Sequence, residues 1–261
     1  MSKQLGTALK IIRTRQHFSQ KDVAKGICKQ SVIMSIEDGA FMPDNHLMLL
    51  LCERLSINLS RTRLAKNYRI STSENFNDIF FRLYNKQDYV GVEYFLSKTE
   101  VIDKVKTAKQ LQAYYYYLGL ANLHIRSHFI NAERNLRLSI SCDETPRTQS
   151  ILMRLGLITL SFVQAKKGQV KQVPSLILNA TKNIEKCNYK ENLNAVFYLA
   201  ALSNYEINNI SESIKWTKNG IDYITVHHSY YMLVNLYQHL AQVAENKGFV
   251  KNPAIENWYD R

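Results

Sequence analysis

Glycine and proline are scarce in this chain, 9 and 4 among 261 residues. So few breakers argue for helices joined by short loops. Four cysteines, Cys28, Cys52, Cys142 and Cys187, sit far apart with no pair at metal-ligand or redox spacing. That scatter favours free thiols in a reducing compartment over disulfides or zinc. No apolar signal-peptide core opens the sequence. The most apolar long run, Met153 to Ala165, contains Arg154 and is too short to span a bilayer, so a cytoplasmic location is expected. Catalytic patterns are also missing: there is no glycine-rich phosphate loop, no HExxH, no nucleophile elbow and no close cluster of His, Cys and acidic residues. His227 and His228 are adjacent, so their side chains diverge on a helix. A non-enzyme without metal or cofactor is the expectation.

What is present is an ordinary apolar content, 46%, in a length that suits one large or two modest domains. The formal net charge is +12, and it is uneven. Residues 1–72 carry 12 basic and 5 acidic side chains, a net +7, whereas residues 73–261 carry 22 and 17, a net +5 over more than twice the length. A basic excess concentrated in one small region suits phosphate binding.

That region is organised around Ser19 to Gly39. Ser19 stands three residues before Asp22, the spacing of a capping box, and the helix it opens places Val23 and Ala24 inward before breaking at Gly26. A second helix over about 29–36 turns Val32, Ile33 and Ile36 inward and leaves Gln30, Ser31 and Ser35 outward. Asp38-Gly39 closes it, since glycine takes the left-handed conformation readily. Before this pair, Leu5, Leu9 and Ile12 form one face of a first helix over 5–15. After it, Asp44 or Asn45 caps a fourth helix whose stripe is Leu47, Leu50, Leu51 and Leu55, and a short fifth helix spans about 59–67. Two short helices joined by a tight turn resemble a helix-turn-helix, in which the second helix enters the DNA major groove.

Gly6, Ile12, Arg13, the SQxxVA segment 19–24, Ile36-Glu37-x-Gly39, Pro43 and Leu50 before Leu55 resemble the phage-repressor class of such domains. Gly26-Ile27-Cys28 with Gln30-Ser31 looks closer to the peptide-pheromone-responsive regulators, the Rap, Rgg, NprR, PlcR and PrgX group. This resemblance implies a structural ion pair between Arg13 and Glu37. It also implies DNA contacts from Gln20, Lys21, Lys29, Gln30, Ser31 and Ser35, with Gln30 able to bind an adenine edge bidentately.

Periodicity lapses over 69–75, a linker rich in Ser, Thr and Asn. From 76 to 261 helical patterns recur, at about 75–85, 88–99, 107–124, 129–140, 146–165, 169–186, 190–206, 210–224 and 228–247, with a tail helix after Pro253. Tyr117-Leu118-Gly119 followed by Ala132 has the small-residue spacing of a tetratricopeptide repeat, with Gly156 and Ala200 in comparable places. The expected fold is therefore all-α: a five-helix helix-turn-helix domain over 1–68, then a TPR-like right-handed superhelical array. In our register Tyr116, Met153, Asn194, Phe197, Ala201, Asn204, Asn235 and Gln238 line its concave face, where asparagine amides can hold a peptide backbone. Lys166, Lys167 and Lys182 are solvated or lie at its rim.

The resemblance implies a homodimeric transcription regulator that binds an inverted-repeat operator in double-stranded DNA and a short linear signalling peptide, without membrane association. The alternative is a phage or mobile-element repressor whose array docks a protein partner.

Overall fold

The computed structural model describes residues 2–56, 68–125, 128–143, 149–229 and 231–246, and among these it has fourteen α-helices and no strand. Two compact units divide the chain, one formed by 1–60 with 214–261 and the other by 61–213.

The first unit contains α1 (Ser2–Arg15), α2 (Gln20–Ala24), α3 (Gln30–Glu37), α4 (Asn45–Arg54) and α14 (Leu233–Asn246). The expected cap is present in full: the Ser19 hydroxyl accepts from the Asp22 amide and the Asp22 carboxylate accepts from the Ser19 amide and hydroxyl. Those bonds to Ser19 lower the Asp22 pKa. Asp44, not Asn45, caps α4, accepting from the Leu47 amide at 2.7 Å. Gly26 and Gly39 both take positive φ, +73° and +76°, as the two helix ends require. Leu5, Ala8, Leu9, Val23, Ala24, Ile33, Ile36, Leu47, Leu51 and Leu55 are buried together with Met48 and Cys52. Ile12, Val32 and Leu50, expected inward, are only half-buried.

Helix α1 packs closely on α3, and Gly6 permits it. A Cβ there would lie 2.1 Å from the Ile36 carbonyl oxygen and 2.6 Å from that of Glu37. Helix α14 packs on α1 and α4, with Leu233, Val234, Leu236, Tyr237 and Val243 buried. The segment from Ile214 onward, expected to complete the array, thus groups with the N-terminal helices.

The second unit runs through α5 (Glu74–Asn85), α6 (Tyr89–Leu96), α7 (Thr99–Ile102), α8 (Ala108–His124), α9 (Phe129–Ser141), α10 (Ile151–Lys166), α11 (Val173–Thr181) and α12 (Asn194–Glu206). The boundary between units falls within α13 (Ile210–Val226). Helix α8 pairs with α9 and α10 with α11, while α10 also packs on α9 and α12. Gly119 meets Leu136 across the α8–α9 contact, where a Cβ would stand 2.8 Å from Leu136 Cγ, so the small residue does what its spacing predicts.

Three helices differ from expectation. The run 88–99 ends at Ser97, whose hydroxyl turns back to the Tyr94 carbonyl, and restarts as α7. The run 169–186 is reduced to α11 between 3-10 turns at 170–172 and 184–186, because Asn183 adopts φ +55°. The run 228–247 starts only at Leu233, after His228 and Met232 take positive φ. The fifth helix at 59–67 and the tail helix after Pro253 lie outside the described residues.

The end of the linker is tied rather than loose. Asn77 accepts from the Ile70 amide and donates to the Ser71 and Ser73 carbonyls, and it is fully buried. The four cysteines are free thiols, and burial raises the Cys52 pKa to about 12. No helix of the described residues is long and apolar enough to cross a membrane.

Candidate functional site

The outward face of α3 is held in place from behind by a polar clamp. Arg13 Nε donates to Glu37 Oε1 at 2.5 Å and its NH2 to Oε2 at 3.0 Å, a two-pronged ion pair, while NH1 donates to the Phe18 carbonyl at 2.7 Å. The Glu37 side chain is 2% exposed and that of Arg13 11%. Hydrogen bonding to Glu37 raises the Arg13 pKa. Gln20 joins them, donating Nε2 to Glu37 Oε2 at 2.8 Å. Gln20, expected among the DNA contacts, thus braces the start of α2 against the end of α3.

A second arginine, which sequence reasoning passed over, fixes α2 from the other end. Arg54 NH1 donates to the Asp22 carbonyl at 2.6 Å and NH2 to the Lys25 carbonyl at 2.7 Å, so a guanidinium from α4 closes the C-terminal carbonyls of α2. Gln16 Nε2 bonds the Leu55 carbonyl at 2.7 Å and ties the ends of α1 and α4. Nothing in the local pattern of α4 marks Arg54, because its partners lie about 30 residues away.

On the other side of α3, Lys29, Gln30, Ser31 and Met34 are exposed, as is Lys21 on α2. Ser35 is half-buried, and its hydroxyl donates to the Ser31 carbonyl at 2.9 Å, so it bonds its own helix instead of projecting a donor outward. Asp38 is exposed at the far end of the same face. The surface is thus polar and cation-flanked at the N-terminal end of α3 and anionic at its C-terminal end. The helix dipole has the same sense, and an anionic partner is favoured at the N-terminal turn.

The residues read as lining a groove are placed differently from expectation. Tyr116, Asn194, Phe197, Ala201, Asn204 and Asn235 are buried, and only Met153 and Gln238 are part-exposed. Asn204 donates to the Ala200 carbonyl one turn back, and Asn194 shares a hydrogen bond with the Tyr189 hydroxyl. Asn235 and Gln238 belong to α14 in the first unit, whereas the other six lie in the second. The apolar side chains left half-exposed along α8, α10 and α12 include Tyr115 and Leu118, Met153 and Phe162, then Tyr198, Leu202 and Tyr205: on α8 Tyr115 stands one residue before the expected Tyr116, and on α12 the three stand one residue after the expected Phe197, Ala201 and Asn204. One position on a helix is about 100° of rotation, enough to move a side chain from a helix contact to an open face. Helices α8 and α12 are apolar nearly all round, so periodicity alone does not choose their outward side. Lys166 pairs with Glu206 at 2.6 Å and lies over the Phe162 ring, and Lys167 pairs with Glu133 at 2.6 Å.

Among the described residues no group of three or more His, Cys, Asp or Glu side chains could hold a metal ion.

No protein-family model matches the chain and no curated protein matches it. Solved structures do. The crystal structure of Bacillus thuringiensis PlcR in complex with the peptide PapR7 and DNA matches at 18% identity with a TM-score of 0.56, covering 98% of this chain and 91% of that one. The Streptococcus dysgalactiae SHP pheromone receptor Rgg2 matches at 12% identity and TM-score 0.38, covering 91% of this chain and 98% of that one. ComR from S. thermophilus, in complex with DNA and its signalling peptide ComS, matches at 12% and 0.34, covering 93% and 99%. The first match shows that this all-helical chain shares its fold, nearly end to end, with a solved structure.

Proposed function

We propose that the chain is a DNA-binding transcription regulator controlled by a short signalling peptide. The observation that carries this reading is the match to PlcR, a protein solved with a peptide and DNA bound, across 98% of this chain. Local chemistry supports it. Helices α2 and α3 form the helix-turn-helix, and the clamp of Arg13, Glu37 and Gln20 presents the N-terminal turn of α3 outward. Lys21 and Lys29 contact phosphates there, and Gln30 and Ser31 reach base edges. The basic excess of residues 1–72 supplies the electrostatic attraction.

The array of α5–α12 is TPR-like and right-handed, and its first helices offer a peptide the stripe of Tyr115, Leu118, Phe162, Tyr198, Leu202 and Tyr205. Aromatic and aliphatic side chains in such a stripe select apolar peptide residues, while nearby amides hold the backbone. The DNA-reading part is residues 1–68, followed by the linker 69–75 and the array from 76. The protein acts in the cytoplasm as a homodimer, since one recognition helix reads only a few base pairs and two related by a two-fold axis read an inverted repeat. Its activity is binding, not catalysis.

The test is selection of genomic DNA fragments by the purified full-length protein. Enrichment of an inverted repeat supports the reading. Retention of all fragments alike, or of none, refutes it. A protein co-purifying on the array in place of a peptide favours the docking alternative.

A further inference from the structure

The exposed face of α3 contains one side chain of the wrong polarity for solvent. Met34 is 49% exposed. It stands one turn after Gln30, the first residue of the helix, so the two side chains lie side by side on the outward face, from the N-terminal end to the middle of α3. Of the other positions on this face, Ser31 offers one small hydroxyl beside Gln30, Ser35 is tied to the Ser31 carbonyl, and Asp38 repels phosphate at the far end. A polar reader therefore sits beside a flexible apolar one on the outward face of α3. In the major groove, glutamine satisfies the adjacent acceptor and donor of adenine, and the sole apolar group on a base edge is the C5-methyl of thymine.

Resting on the DNA-binding reading above, we propose that Met34 is a specificity-determining residue that packs on a thymine methyl group next to the base pair read by Gln30. Each operator half-site then contains neighbouring A·T pairs, and thymine is distinguished from cytosine at one of them by a methyl contact rather than a hydrogen bond. The thioether chain suits this task, since methionine adapts its shape to a small apolar target.

The test uses full-length protein and the selected duplex, with each thymine of the half-sites replaced in turn by deoxyuridine. That change removes the methyl and leaves every hydrogen-bonding edge intact. Affinities are measured by fluorescence anisotropy at fixed salt for the wild type, Met34→Ala and Met34→Leu. At one thymine per half-site the replacement should weaken wild-type binding about fourfold, the fold-change of one buried methyl group. Met34→Ala should bind the thymine and deoxyuridine duplexes within twofold of each other, and Met34→Leu should restore most of the difference. Met34 is exposed, so these variants keep the core intact. Insensitivity of the wild type at every position overturns the proposal, as does an equal loss in Met34→Ala. Either result leaves the DNA-binding reading standing, whereas failure to select any duplex removes both.

Discussion

Removal of Glu37 by the substitution Glu37→Ala should cost the first unit much of its stability. The carboxylate accepts both prongs of Arg13 and the amide of Gln20, and its side chain is 2% exposed. Without it, Arg13 keeps only the Phe18 carbonyl, as an under-partnered cation at 11% exposure. Breaking a buried pair from one side typically costs 3–5 kcal/mol. Some water reaches Arg13, so the lower end applies, about 3 kcal/mol. Glu37→Gln keeps the shape and loses the charge, at about 1.5 kcal/mol. The double variant Arg13→Leu with Glu37→Leu should recover much of the loss, because no orphan charge remains. Native-state hydrogen exchange is the suitable assay, since each helix reports its own opening. Amides of α1 and α3 in Glu37→Ala should exchange about a hundredfold faster, while those of α8 and α10 serve as an internal standard and stay unchanged. A change below about 1 kcal/mol in α1 and α3 would refute the reasoning, because it would mean that the pair is solvated in solution.

Three other substitutions follow from the geometry. Gly6→Ala forces a Cβ against the Ile36 and Glu37 carbonyls, backbone atoms that cannot step aside, and should lower stability by about 2–3 kcal/mol in a thermal melt. Tyr117→Phe should have the opposite sign. The Tyr117 hydroxyl is buried without a hydrogen bond beside Phe80, Tyr84 and Tyr116, so removing it should raise stability by about 1 kcal/mol, read as a higher melting temperature. Arg54→Ala should weaken operator binding severalfold while leaving the slope of log affinity against log salt unchanged, because Arg54 serves the α2 carbonyls. A slope shallower by about 0.9 would instead identify a phosphate contact.

The N-terminal helices were legible because their signals are local. A serine three residues before an aspartate, and glycines where positive φ is required, fix helix ends without help from the rest of the chain. The Arg13–Glu37 pair came from the resemblance and is present as a two-pronged bond. The role of Arg54 and the bond from Gln20 to Glu37 were not legible, since they depend on contacts between residues 17 to 32 positions apart. In the array, helix existence was clear but facing was not. Tyr114 to Tyr117 offers four similar side chains in succession, and nothing in the string says that Tyr115 is the half-exposed one. Asn194 and Asn204 drew attention as polar residues in long helices, yet each bonds a residue of its own neighbourhood, one a tyrosine hydroxyl and the other a carbonyl one turn back. The packing of α14 on α1 and α4 links the two ends of the chain, and no local pattern announces it.

The most direct test of the account is the affinity of the full-length protein for its selected operator, measured with and without a pool of short peptides from the host's spent medium. The account predicts that one peptide fraction shifts the operator dissociation constant at least fivefold, the lower end of ordinary coupling between sites, and that Tyr198→Ala with Tyr205→Ala abolishes the shift while preserving peptide-free binding. Identical binding curves with every fraction would contradict it.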